Sequence, residues 1–139
     1  MSTSRSVLFV CLHGAAKSVL AAADFERLAA ERGLAITADS AGTEPDPEIA
    51  PGVAAALRAD GVDLGRRRPR RVTAADTARA DRVVTFGCEL GEAMPAAASV
   101  ERWDDVPAVS ENLPIARAAI RRHLDRLPDE WAAQGDRRA

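Results

Sequence analysis

Ser6-Val-Leu-Phe-Val-Cys11-Leu-His-Gly-Ala-Ala-Lys17-Ser18-Val-Leu20 decides how the rest of the chain is read. Ser6 to Val10 is a short apolar run of strand length. Val19 to Ala30 carries helical spacing, with Ala21, Phe25, Leu28 and Ala29 on one stripe and Gly33 as a stop. The loop between them holds a cysteine, a glycine, small residues, a cation and a hydroxyl. A loop of this kind turns several backbone N–H groups inward at a helix N-terminus, where they make an anion site. Cys11 in that field is expected to react as a thiolate. The plainer alternative is a structural β–turn–α junction in which Cys11 is a small buried hydrophobe. The loop alone leaves both open.

Further along, Leu34 to Ser40 reads as a second strand ending in the Gly42-Thr43 turn, and Glu44-Pro-Asp-Pro47 as a rigid acidic loop. Ala50 to Asp60 is a predicted helix with Pro51 near its start and Gly61 past its end. Thr73-Ala-Ala-Asp76 has the form of a capping box opening a short helix to Ala80. Arg82 to Phe86 is an apolar, β-branched third strand, and Ser99 to Trp103 a fourth. A last helix starts near Asn112 with Leu113, Ala116, Ile120, Leu124 and Leu127 on one stripe, and residues from Gln134 on are expected to fray. Strands alternating with helices predict an α/β three-layer sandwich, a four-stranded parallel sheet with helices on both faces. Ligands in such folds bind at the carboxyl ends of the strands. Cys11, Gly42, Cys88, Asp104 and Asp105 all fall on that rim.

A chain of 139 residues, 47% hydrophobic and 29% charged, is expected to form one domain, with its core over about residues 5–127. No apolar run approaches the ~20 residues that span a bilayer, and the N-terminus does not read as a signal peptide. Two distant cysteines do not make a secreted disulfide framework, so a reducing cytoplasm is expected. The net charge of −2 gives no global pull toward nucleic acid or membrane. Arg66-Arg-Arg-Pro-Arg-Arg71 reads either as a solvated loop or as an electropositive rim for an anionic substrate; without interleaved aromatics it does not suggest nucleic-acid binding. His13 and His123 have no ligands at metal spacing, and neither a metal nor another cofactor is expected. His13 reads as a residue tuning the thiolate or flanking the pocket, His123 as a helix-surface residue.

Cys11-Leu-His-Gly-Ala-Ala-Lys17-Ser18 resembles the phosphate loop of the low-molecular-weight protein tyrosine phosphatase and arsenate reductase superfamily, in which Cys, five residues, Arg and Ser or Thr follow the first strand. Asp39-Ser-Ala-Gly-Thr43, Gly61-Val-Asp-Leu-Gly with Arg68-Pro-Arg-Arg-Val-Thr73, Val83-Val-Thr-Phe86 and Trp103-Asp-Asp-Val-Pro107 extend the likeness. The resemblance implies a phosphate monoester or related oxyanion as substrate. Cys11 is then the nucleophile, and the loop from Leu12 through His13, Gly14, Ala15 and Ala16 to Lys17 and Ser18 holds the oxygens. It also gives Ser18 a hydrogen bond to the thiolate, although Ser18 equally reads as the N-cap of the first helix. Asp105, or else Asp104, is the implied general acid.

The departures from the family pattern bear on function. Lys17 stands where the family has arginine and Gly14 where it usually has asparagine. Gly supplies the left-handed backbone a sharp loop needs. Lysine offers one compact charge instead of a planar fork, a loss of roughly 2–4 kcal/mol of transition-state stabilisation. The chain contains no tyrosine, and Ala108 and Val109 stand where tyrosine phosphatases carry ring-stacking tyrosines. In the thioredoxin-coupled reductases two later cysteines relay a disulfide. Cys88 resembles the first, while Met94-Pro95 replaces the second, so Cys88 is either a redox partner or an ordinary buried residue. Three readings stay open: a phosphate-monoester hydrolase, an arsenate reductase using an external thiol, and an oxyanion-binding regulatory protein with little turnover.

Overall fold

The computed structural model describes residues 5–94, 100–128 and 130. Ser99, Pro95 and the tail from Gln134 lie outside the described residues. Strand β1 (Arg5–Cys11) runs between β2 (Ile36–Gly42) and β3 (Arg82–Thr85), and β4 (Val100–Arg102) closes the far edge, in the order β2-β1-β3-β4 with every pair parallel. Because β1 is covered on both faces, its sequence reads as an unbroken apolar run. Alternate residues serve different cores. Val7, Phe9 and Cys11 face helices α1 (Lys17–Glu31), α2 (Pro51–Ala59) and α4 (Leu113–Leu124), whereas Leu8 and Val10 join Val72, Val83, Cys88, Leu90 and Ala93 on the opposite face. Helix α3 (Ala74–Arg79) and a single 3-10 turn (Gly91–Ala93) lie beside this second core. The expected architecture is the observed one.

The first core is built on aromatic contacts. Phe9 meets Phe25 edge-on at 6.1 Å and Trp103 at 5.8 Å between ring centres, and Trp103 meets Phe86 edge-on at 5.6 Å. Full burial of side chains this size contributes roughly 1.5–3 kcal/mol each. Trp103 thereby fixes the start of the 103–107 loop beneath the rim.

Element boundaries shift from the sequence expectation for identifiable reasons. Helix α1 begins at Lys17, before the apolar stripe, so Ala16 is its N-cap and Ser18 lies inside the first turn. The N-cap role considered for Ser18 is therefore excluded. Leu34 belongs to the turn closing α1, donating its N–H to Ala29 O at 2.9 Å, and β2 starts two residues later. The charges of β4 are those of an edge strand: Arg102 pairs with Glu89 and Asp104, and Glu101 accepts from the Trp103 indole. The capping box of α3 is present in both directions between Thr73 and Asp76. Among the described residues no helix is long and apolar enough to cross a membrane.

Candidate active site

The loop after β1 is shaped by the segment after β2. Thr43 N donates to Cys11 O (3.3 Å), Glu44 N to Leu12 O (2.7 Å), Asp46 N to His13 O (3.0 Å) and Ala50 N to Ala15 O (2.9 Å). A trans peptide points its C=O and N–H in opposite directions. Fixing these four carbonyls against 43–50 turns the N–H groups of Leu12, His13, Gly14 and Ala16 the other way. Helix α1 adds its own N-terminal N–H groups, with no side-chain cap and no acidic residue in its first turn. The result is a concave set of donors with a net preference for an anion.

Gly14 makes the crossing possible. Its φ is +60°, and a Cβ there would lie 2.7 Å from Gly42 N; conversely, a Cβ on Gly42 would lie 2.6 Å from Gly14 N. The loop and the end of β2 touch backbone to backbone, a contact only two glycines allow.

Cys11 is buried at the base of this loop, its Sγ 3.1 Å from Ser18 Oγ. Lys17 does not stand free above the loop: Nζ donates to Val106 O at 3.0 Å, joining it to the 103–107 segment and leaving two of its three N–H donors. A cleft of about 790 Å³ opens over the loop. Its walls are apolar at Val53, Phe86, Ala108, Val109 and Leu113, and its titratable side chains are Cys11, His13, Lys17 and Asp46. His13 Nδ1 lies 3.1 Å from Glu44 O and 3.4 Å from Asp46 Oδ1.

Neither aspartate of the 103–107 loop lines the cleft. Asp104 accepts from Gly87 N (3.1 Å) and Arg102 Nε (3.0 Å). Asp105 lies 2.8 Å from His123 Nε2, and this hydrogen bond holds its carboxyl below the ordinary aspartate range. His123, expected on the helix surface, is partly buried: it stacks on Trp103 at 4.5 Å and accepts at Nδ1 from Arg126. Cys88 belongs to the core of the opposite sheet face, 3.6 Å from Val10 O, and burial pushes its thiol up. It does not share the cleft with Cys11.

The arginine run divides. Arg66 to Arg68 are exposed, whereas Arg70 bridges Asp39 and Asp76 and Arg71 donates to Thr43 O, bracing the segment that holds the loop. Among the described residues no group of three or more His, Cys, Asp or Glu is placed to hold a metal. Asp46 and the cleft residues of α2 went unrecognised in the sequence. The available signal was positional, since 43–50 follows the carboxyl end of β2, where ligands of parallel sheets bind.

Residues 6–118 match the family described as low molecular weight phosphotyrosine protein phosphatase, and the chain belongs to that family. Among solved structures it is similar to YfkJ from Bacillus subtilis, at 25% identity and a TM-score of 0.82, covering 96% of this chain and 98% of that one. It is also similar to a thioredoxin-dependent arsenate reductase from Corynebacterium glutamicum, at 27% identity and a TM-score of 0.73, over 93% of this chain and 64% of that one. An arsenate reductase from Archaeoglobus fulgidus aligns at 28% identity and a TM-score of 0.67, over 87% and 97%.

Proposed function

We propose that this chain hydrolyses phosphate monoesters through a cysteinyl-phosphate on Cys11. The observation that carries the reading is the outward fixing of four loop carbonyls by residues 43–50, which leaves the opposing amides free for a phosphoryl group above the thiol. Cys11 attacks phosphorus as the thiolate, with Ser18 Oγ–H as its hydrogen-bond donor. The loop amides and the remaining Lys17 donors hold the non-bridging oxygens through the charged transition state. Asp105 and Asp104, the sequence's candidates for the general acid, would have to leave His123 and Gly87 to act in the cleft. The apolar walls and the absence of tyrosine favour a compact organic phosphate over a phosphotyrosine ring held by stacking. The chemistry needs a reduced Cys11, in keeping with a reducing compartment.

A second reading is arsenate reduction at the same loop with an external thiol donor. It is favoured by the identity to two arsenate reductases. The position of Cys88 in the opposite core speaks against an internal relay. The deciding experiment runs p-nitrophenyl phosphate hydrolysis beside arsenate reduction with several thiols, using Cys11→Ser as control and measuring phosphate affinity in parallel. Hydrolysis abolished by Cys11→Ser is the expected result. Reduction without hydrolysis replaces the reading with the second, and phosphate binding with neither activity replaces it with an oxyanion-binding protein.

A further inference from the structure

We infer that His13, oriented by Asp46, is the proton donor to the leaving group, in the place the sequence assigns to an aspartate of the 103–107 loop. The inference rests on the hydrolase reading. Leaving-group protonation needs a group that reaches the cleft, carries a proton and has one nitrogen or oxygen free. Among the described residues lining the cleft, Cys11 is the nucleophile and Lys17 is committed in part to Val106 O, which leaves His13 and Asp46. His13 Nδ1 faces two acceptors, the Glu44 carbonyl and the Asp46 carboxylate, so Nδ1 carries a hydrogen in both charge states and Nε2 is the nitrogen that gains and loses the proton. The peptide of His13 is itself fixed by Asp46 N, so ring and carboxylate are registered on one another through side chain and backbone.

The rival groups are arranged as acceptors. Arg126 can only donate, so His123 Nδ1 is an acceptor and its Nε2–H is given to Asp105. Both oxygens of Asp104 already accept hydrogen bonds. In the reaction the Cys11 sulfur forms a bond to phosphorus, the ester P–O bond breaks, and the leaving oxygen takes the Nε2 proton of His13. The neutral ring then removes a proton from water, whose oxygen attacks phosphorus, breaking the S–P bond and releasing phosphate. Asp46, Lys17 and Cys11 are the other charged or ionisable groups lining the cleft among the described residues, and of these Asp46 meets the ring, at Nδ1.

The test compares phenyl phosphate, whose leaving oxygen needs a proton, with 2,4-dinitrophenyl phosphate, which departs without one. His13→Asn keeps a donor toward Glu44 O and Asp46 but has no transferable proton. It is expected to lose about 100-fold on phenyl phosphate and less than about threefold on the dinitrophenyl ester. Equal losses on both esters, or selective loss of phenyl phosphate turnover in Asp105→Asn instead, overturn the inference. Failure of the wild type to turn over even the dinitrophenyl ester overturns the hydrolase reading itself.

Discussion

Lys17 is the residue on which the strength of the site turns. Its Nζ–Val106 O bond ties the cation to the neighbouring 103–107 segment and leaves two donors for the loop after β1. Arginine at this position has five donors, enough to keep one on Val106 O and present a fork to two phosphoryl oxygens. Lys17→Arg is expected to raise aryl-phosphate turnover about tenfold, half of the ~2–4 kcal/mol a fork contributes, at about 1.4 kcal/mol per decade. Affinity for free phosphate should change far less, because one cation already supplies most of the ground-state attraction. A folded, phosphate-binding variant with unchanged turnover would refute this. The two thiols make a second contrast. Cys88 is held up by burial in an apolar core, whereas Cys11 faces the cleft beside Ser18. Alkylation at pH 7, followed on Cys11→Ser and Cys88→Ser, should proceed at Cys11; faster reaction at Cys88 reverses the assignment. Cys11 and Ser18 were legible in the sequence because they flank one short loop, seven residues apart. The Asp105–His123 contact was not, since it depends on where α4 docks against Trp103.

The elements that matter most for the site are the loop after β1 and the segment after β2, each shaping the other. Their contact at Gly14 and Gly42 leaves no room for a methyl group, and the obstructing atoms are backbone. Gly42→Ala should therefore displace the loop, cutting phosphate affinity at least tenfold and destabilising the fold by about 1–3 kcal/mol of overpacking. Isothermal titration with phosphate and urea unfolding measure the two effects, and an unaltered affinity would show that the loop does not need this approach. A glycine's left-handed turn can be read from a sequence. A close approach between two distant glycines cannot, because it exists only once β1 and β2 are paired in register. Helix α3 shows the opposite case. Its capping box uses residues three apart, so local chemistry alone specified it. Thr73→Ala is expected to lose about 1 kcal/mol, the usual value of an N-cap. The segment 34–40 failed as a boundary for a similar physical reason: where β2 starts is set by its pairing with β1, not by its own composition.

Across the whole molecule, the parallel sheet with helices on both faces followed from strands alternating with helices along the chain, but the order β2-β1-β3-β4 and the polar network that ties the helices together did not show in the pattern. Arg117 of α4, nearly buried, donates to both oxygens-bearing arms of that network, Asp24 of α1 and Asp60 at the end of α2, and Arg121 adds a weaker contact to Asp24 at 3.3 Å. Removing one partner of a buried pair leaves the other charge without compensation, which costs about 3–5 kcal/mol. Arg117→Met should fall at the low end, about 3 kcal/mol at pH 7, because Arg121 still faces Asp24. The pH dependence adds a second readout. Arg117 holds the Asp60 carboxyl below its ordinary value by hydrogen bond and charge. A carboxylate depressed in the folded state contributes stability that is fully present above its unfolded value, near 4, and is lost as pH falls through the folded value. The wild type should therefore lose stability on acidification below about pH 4, and Arg117→Met should lose less over the same window, since the Asp60 part of the linkage has gone. Urea unfolding of both proteins at pH 7 and pH 3 measures this. A loss below about 1 kcal/mol at pH 7 would mean that the network is solvated rather than structural. Arg117 does not line the cleft, so phosphate affinity of the folded variant should stay within about twofold of wild type, and a larger change would mean that α1 carries strain from the network to the loop at its N-terminus.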